Sequence, residues 1–345
     1  MNLEEMLKKE KEKIESKIKI GSEILYLTKD QCIEAGPDVE QTLEIIERTL
    51  DAHGRKEYEM PAKIGIHPYD DVFYHAMPAY VPGQMACGEK WIECYPRNPK
   101  EYGLPQTSGL MILNEILTGF PMVIMDGAWL TAMRTPAVTS IAAAALHPDA
   151  ETFGMFGCGV QGIGHVRYIV HKLMNLKKIY VYDVRRESME RLIEQVKDEV
   201  DGVELIMAAS PQEVAENCDV MSSATIITRE NMAVVKKEWV HAGQTILPCD
   251  LNTFWEADIQ RNADKYIVDS REEHVLFDGM GYFPDGLPEI YAETGEIVAG
   301  IKEGRERKDE LIVCSNIGMS VCDVAMAKHI FDAALERDLG TVLKL

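Results

Sequence analysis

The stretch TFGMFGCGVQGIGH, residues 152–165, decides the fold. Thr152–Phe156 reads as a short apolar strand, and Gly157-Cys158-Gly159-Val160-Gln161-Gly162 follows it in the spacing G-x-G-x-x-G. Glycine is required where backbone turns tightly and where it must approach a pyrophosphate seated on the positive end of a helix. The motif alone is weak, but here it leaves a strand and opens a helical pattern, which is the context that gives it meaning. The next strand, YVYDV, ends on Asp183, 26 residues beyond Gly157, where an acid would bind the adenosine ribose hydroxyls. A carboxylate there repels a 2′-phosphate, so NAD is expected over NADP, although Arg185 and Arg186 follow at once and offer that phosphate a partner.

Outward from this motif, strands and helices alternate. Ile179–Tyr182, Val203–Ala208, Val220–Ala224, Thr245–Leu247, Tyr266–Val268 and Leu311–Cys314 read as strands. Val166–Met174, Ser188–Val200, Pro211–Asn217 and Val321–Glu336 read as helices. Alternation of this kind predicts βαβ units and a parallel sheet of Rossmann type. The earlier chain has another texture. Residues 1–20 are rich in Glu and Lys and predict a solvated helix, and Pro37–Ala52 has a helical period. From Tyr58 to Pro96, short segments punctuated by Pro and Gly, followed by the apolar runs Gly109–Leu117 and Pro121–Met125, predict an α+β region built on a sheet.

With 345 residues, two domains are expected. The formal charge of −21 repels phosphate backbones, so nucleic acid is not expected as a partner. No run reaches the roughly 18–20 apolar residues of a spanning helix. Residues 1–20 hold no apolar core of a secretory signal, which makes a cytoplasmic protein the expectation. The eight cysteines form no CxxC pair or Cys/His cluster, so reduced, packed thiols are expected and no metal.

Three further residues carry candidate chemistry. Arg134, in LTAMRTPAVTSIAAAAL, precedes Thr135-Pro136, and proline suits a first helical turn. A helix starting there would place Arg134 at a positive helix end, suited to a carboxylate or phosphate; the plain alternative is a surface ion pair. Lys90, in MACGEKWIEC, alternates onto one face with Ala86, Gly88, Ile92 and Cys94, so it is either an edge-strand lysine or an anion ligand. Asp250 ends the run QTILPCD; it is a turn former or, if the run is a parallel strand, a group at the ligand-binding end of the sheet. Cys158 and Cys249 flank this region without an evident base and read as packing positions.

Together these residues resemble the ornithine cyclodeaminase/mu-crystallin family. The match rests on AMPAYVPGQMACGEKW, MDGAWLTAMRTPAVTSIAAAAL, FGCGVQGIGH and SNIGMSVCDVAMAK, in order over roughly residues 30–340. The resemblance implies a homodimer whose subunit has a substrate-binding and dimerisation domain, residues 1–130 plus 319–345, and an inserted NAD(P)-binding Rossmann domain, residues 131–318. It implies that Lys90 and Arg134 hold a substrate carboxylate, that Thr135 touches the cofactor phosphates, and that Asp250 binds and activates the amine or attacking water. Ala224 and Thr225, closing the strand Val220–Ala224, join the cofactor-binding set. Lys63 stands in EMPAKIG where the family has an arginine, and His75 in FYHAMP where ornithine cyclodeaminases have a glutamate. The expected function is NAD-dependent chemistry at the α-carbon of an amino or imino acid, cyclodeaminase-like with loss of ammonia. Net amino-acid dehydrogenase or imine reductase activity is the alternative, and a non-catalytic binder of cofactor and ligand a further one.

Overall fold

The computed structural model describes residues 3–345, so the first two residues of the expected N-terminal helix lie outside it. The chain divides into two compact units, one ending at Arg134 and resumed at Met319–Leu345, the other Thr135–Gly318. The first begins with α1 (Leu3–Glu15), β1 (Glu23–Leu27), α2 (Lys29–Ala35), α3 (Val39–Gly54) and β2 (Ile64–Ile66). It continues through β3 (Phe73–Val81), β4 (Ala86–Cys94), α4 (Asn98–Glu101), β5 (Thr107–Asn114) and β6 (Pro121–Asp126). α5 (Ala128–Leu146) carries the chain over the boundary.

The second unit alternates β7 (Thr152–Phe156), α6 (Val160–Ile169), β8 (Lys178–Tyr182), α7 (Arg186–Val196), β9 (Glu204–Met207), α8 (Pro211–Asn217) and β10 (Val220–Ser223). It then runs β11 (Thr245–Pro248), α9 (Ala257–Arg261), β12 (Lys265–Val268), α10 (Arg271–Gly279), β13 (Ile290–Glu293), α11 (Thr294–Val298) and β14 (Ile312–Ser315). α12 (Ser320–Glu336) and β15 (Thr341–Lys344) complete the first unit.

The second unit is the expected mixed α/β fold with a parallel sheet. Its eight strands lie in the order β13-β12-β14-β11-β10-β7-β8-β9, and every pairing is parallel. Alternate residues of each strand feed two cores, as a sheet covered on both faces requires. Phe153, Met155, Ile179 and Val181 pack with Val166 of α6 and Leu192 of α7. Phe156, Tyr180 and Met221 pack with Val214 of α8 and Ile259 of α9. The first unit is built on a seven-stranded sheet, β15-β1-β6-β5-β4-β3-β2, antiparallel except for β1 with β6. α12 lies against β3, β4 and α3 and buries almost its whole surface.

Three expectations are corrected. α5 does not start at Thr135-Pro136: it runs unbroken from Ala128 with Pro136 inside. Arg134 is therefore mid-helix and gains nothing from a helix terminus. The interior proline costs roughly 3 kcal/mol, which burial of Ala137, Val138, Ile141, Ala142 and Ala143 offsets. Lys90 is not on an edge, since β4 pairs with β3 on one side and β5 on the other. The N-terminal helix is not wholly solvated; Leu7 and Ile14 are buried, and Glu10 and Lys13 pair with Lys328 and Glu336.

Candidate functional site

In the second unit the three motif glycines do three different things. Gly157 has φ +91°, and a Cβ there would lie 2.6 Å from the Ala224 carbonyl oxygen. At Gly162 a Cβ would come within 2.0 Å of the Gly157 carbonyl oxygen, so only glycine lets α6 sit this close to the loop. At Gly159 a Cβ would meet nothing within 4 Å, and no side chain caps the helix that Gly159 opens. The cradle therefore offers uncapped N–H groups over open space, which fits a pyrophosphate. Val160 is exposed beside it, and the Gln161 Oε1 is buried without a hydrogen-bond donor.

Asp183 Oδ2 accepts the Cys158 N–H and its Oδ1 the Arg185 N–H, both at 2.9 Å. Each oxygen keeps a further lone pair for a ribose hydroxyl. Arg185 is exposed, its Nε 3.8 Å from Asp183 Oδ1, whereas Arg186 is held by Glu190 at 2.8 Å on its own helix. Cys158 is buried, and burial pushes its thiol up to about 12, in keeping with a packing role.

Asp250 stands at the carboxyl end of β11 and is fully buried. Its Oδ1 accepts Ser223 Oγ–H at 2.6 Å, and its Oδ2 accepts Thr225 Oγ1–H at 2.6 Å and Thr225 N–H at 3.1 Å. Trp255 Nε1–H in turn donates to Ser223 Oγ at 2.8 Å. The turn at Asp250 is closed by its backbone carbonyl, which accepts Thr253 N–H, and not by its side chain. Burial holds the Asp250 carboxyl above the usual range, with the hydroxyl donors opposing. Ala224 abuts Gly157 through its carbonyl, and Thr225, the next residue, ties this segment to the buried Asp250. Thr135 lies within α5, its carbonyl facing Thr139 Oγ1 at 3.5 Å. Cys249 does meet a base: its Sγ lies 3.5 Å from His165 Nε2. Burial pushes the thiol up to about 12 and the imidazole down to about 4, so both stay neutral and the thiol is not activated.

The first unit gathers the cations. Lys90 on β4 is buried, with Nζ 2.7 Å from Asp323 Oδ2 and donating to Thr131 Oγ1 at 3.2 Å. Arg134 Nε donates to Asp323 Oδ1 at 2.8 Å. Lys63, ahead of β2, and His75, on β3, are also buried. Burial, then the charges of Lys63, His67 and Lys90, drive His75 down to about 3, so it is a neutral ring, stacked on Phe73 at 4.1 Å. Burial brings Lys90 down to about 7, against the attraction of Asp323. Lys90 and Arg134 thus share the Asp323 carboxylate, with Lys63 close enough to Lys90 to repel its charge. Asp323 was not singled out from sequence. Its signal was a lone acid in the apolar run SVCDVAMA, on a helix face that can bury a carboxylate only beside a cation.

Residues 26–338 match the ornithine cyclodeaminase/mu-crystallin family. The chain belongs to that family. One relative in sequence is the nodulation efficiency protein NfeD of Rhizobium meliloti, 32% identical over 308 residues, 87% of this chain and 92% of that protein. The Delta(1)-pyrroline-2-carboxylate reductase of Thermococcus litoralis, solved with NADH and L-proline, matches with TM-score 0.81 at 28% identity, over 92% of this chain and 99% of the other. An archaeal alanine dehydrogenase dimer with bound NAD also gives TM-score 0.81 at 28% identity, over 94% and 99%. Among the described residues no helix is long and apolar enough to cross a membrane.

Proposed function

We propose that this family member is an NAD-dependent oxidoreductase that interconverts an α-amino acid and its imino acid, with net transfer of reducing equivalents. The observation that carries this reading is the buried cluster of Lys63, Lys90 and Arg134 beside a neutral His75. That set suits a substrate carboxylate. It does not suit the distal ammonium of a diamino acid, because His75, two residues before Met77-Pro78 and a glutamate in ornithine cyclodeaminases, here offers a neutral ring amid positive charge. The named relatives that reduce pyrroline-2-carboxylate or oxidise alanine support the same preference. Loss of ammonia with ring closure is the second reading, favoured by the buried Asp250.

Bound NAD(H) would accept or supply the hydride. Gly157, Gly159 and Gly162 with the N–H groups opening α6 would hold its pyrophosphate, Asp183 its ribose, and Ala224 and Thr225 the wall beside them. Lys90 and Arg134, with Lys63, would orient the carboxylate. Asp250, held poised toward its protonated form by burial, would take the proton from the substrate amine on oxidation and return it on reduction.

A homodimer belongs to this reading. On one face of the seven-stranded sheet Trp91 pairs with Leu110, and Ile112, Ile124 and Tyr26 lie in one row beside them. Trp91, Leu110 and Tyr26 are 39%, 45% and 40% exposed, an apolar surface that a second copy would cover. The deciding experiment mixes purified protein with NADH and cyclic imino acids, or with 2-oxo acids and ammonium, and follows absorbance. In parallel, ornithine and NAD are assayed for ammonia. Ammonia release from ornithine without net change in NADH would replace this reading with the cyclising one.

A further inference from the structure

Between Lys90 of β4 and Arg134 of α5 lies the carboxylate of Asp323. Asp323 Oδ2 is 2.7 Å from the ammonium and Oδ1 is 2.8 Å from the guanidinium. The three side chains are 1%, 5% and 0% exposed, so solvent screens none of the charges. Two like charges buried together repel strongly. One carboxylate with an oxygen on each cation removes that repulsion and fixes where both cations stand.

We propose that Asp323 is the positioning residue of the substrate anchor, holding Lys90 and Arg134 as one preassembled acceptor for the carboxylate of an amino or imino acid. This rests on the function proposed above. Asp323 does not itself touch substrate; it acts through its two partners. The groups facing Lys90 come from every element around it: Asp323 from α12, Arg134 and Thr131 from α5, Lys63 ahead of β2, and His75 on β3. The directly paired residues on β3 and β5 are Met77 and Met111. Of these, Asp323 alone is negative. Burial, Arg134 and Lys63 all lower the proton affinity of Lys90, to about 7, while Asp323 raises it. Lys90 is thus charged below about pH 7 and discharges above it, and loss of Asp323 moves that discharge to lower pH. Carboxylate affinity follows the charge.

The test measures binding of pyrrole-2-carboxylate, a planar carboxylate with no hydride to give, to the NADH-loaded protein from about pH 6 to about pH 9 by calorimetry. Wild-type affinity is expected to weaken as pH rises through about 7. Asp323→Asn should bind about tenfold or more weakly at neutral pH, with its weakening displaced by about one pH unit or more toward acid. NADH affinity by fluorescence should change by less than about threefold. Because Asp323→Asn leaves two buried cations facing each other, the double variant Lys90→Met/Asp323→Asn is measured beside it. That variant should fold, bind NADH, and bind the probe weakly with no pH dependence. Unchanged affinity and profile in Asp323→Asn, or pH dependence that survives in the double variant, overturns the proposal. A wild-type protein that binds NADH but no carboxylate overturns the proposed function with it, whereas failure confined to the variants removes only the role of Asp323.

Discussion

Asp183 accepts the Cys158 N–H at 2.9 Å, so the acid at the ribose position also fastens the glycine loop to the end of β8. Selectivity and loop shape are therefore coupled in one side chain. NAD(H) should bind at least several-fold more tightly than NADP(H), since Arg186 is engaged by Glu190 and Asp183 repels a phosphate. Asp183→Ala should not simply transfer preference to NADP(H). It should weaken NAD(H) by about tenfold or more, the value of roughly one charge-assisted hydrogen bond. Fluorescence titration of both cofactors checks this, and a clean switch to NADP(H) would show that the loop keeps its shape without Asp183.

The glycines separate folding from binding. Gly159→Ala places a methyl in open space, at a helix N-terminus with ordinary negative φ, so its melting temperature should match wild type. NAD affinity should nevertheless fall about tenfold, because the methyl occupies the approach of the phosphates. Gly162→Ala drives a methyl onto the Gly157 carbonyl and should lower the melting temperature as well as binding. Calorimetry and cofactor titration on both variants distinguish the two effects.

Asp250→Asn should reduce turnover by roughly 10²–10⁴, the usual contribution of a general base. Folding and cofactor binding should survive, because the Ser223 and Thr225 hydroxyls can rotate to meet an amide. Steady-state rates beside circular dichroism decide the point. Turnover near wild type would leave Asp250 as a tie between β11 and the segment after β10, and nothing more.

Acid should destabilise the fold through buried imidazoles. Folded-state values of about 4 for His165 and about 3 for His75 lie below the unfolded 6.5, so below pH 6.5 the unfolded chain binds protons that the folded chain refuses. Stability is complete above 6.5 and declines as pH falls, by about 1.4 kcal/mol per pH unit for each ring. Urea melts at successive pH values test the slope, and His165→Gln should lower it by about 1.4 kcal/mol per pH unit.

The parallel unit was legible because its signals are local: a β strand, three glycines and an acid at fixed spacing describe one βαβ turn. The boundaries that drifted have local causes too. The pattern placed the helix after the loop at Val166, but α6 begins at Val160, since glycines inside it mask the apolar period. β13, β15 and α10 passed unseen; β15 is exposed along its whole length and so shows no buried apolar pattern. Arg134 and Lys90 stood out as charged residues in apolar runs, yet their partner is 189 residues from Arg134, a separation no periodicity reports. Pro136 misled for a physical reason, because tertiary burial overrode a strong local preference.

The first sheet is closed from both ends of the chain, with Glu23 opposite Lys344 and Ile24 opposite Leu343. During synthesis the parallel unit can therefore complete its sheet while the other still lacks α12 and β15. Through that interval Lys90 and Arg134 have no Asp323, and two cations must wait in water or face each other. Long-range closure of this kind is slow and exposes strand edges. Refolding should accordingly be biphasic, with cofactor-binding competence returning ahead of the anion site. C-terminal truncations before Asp323 should yield chains that bind dinucleotide yet aggregate.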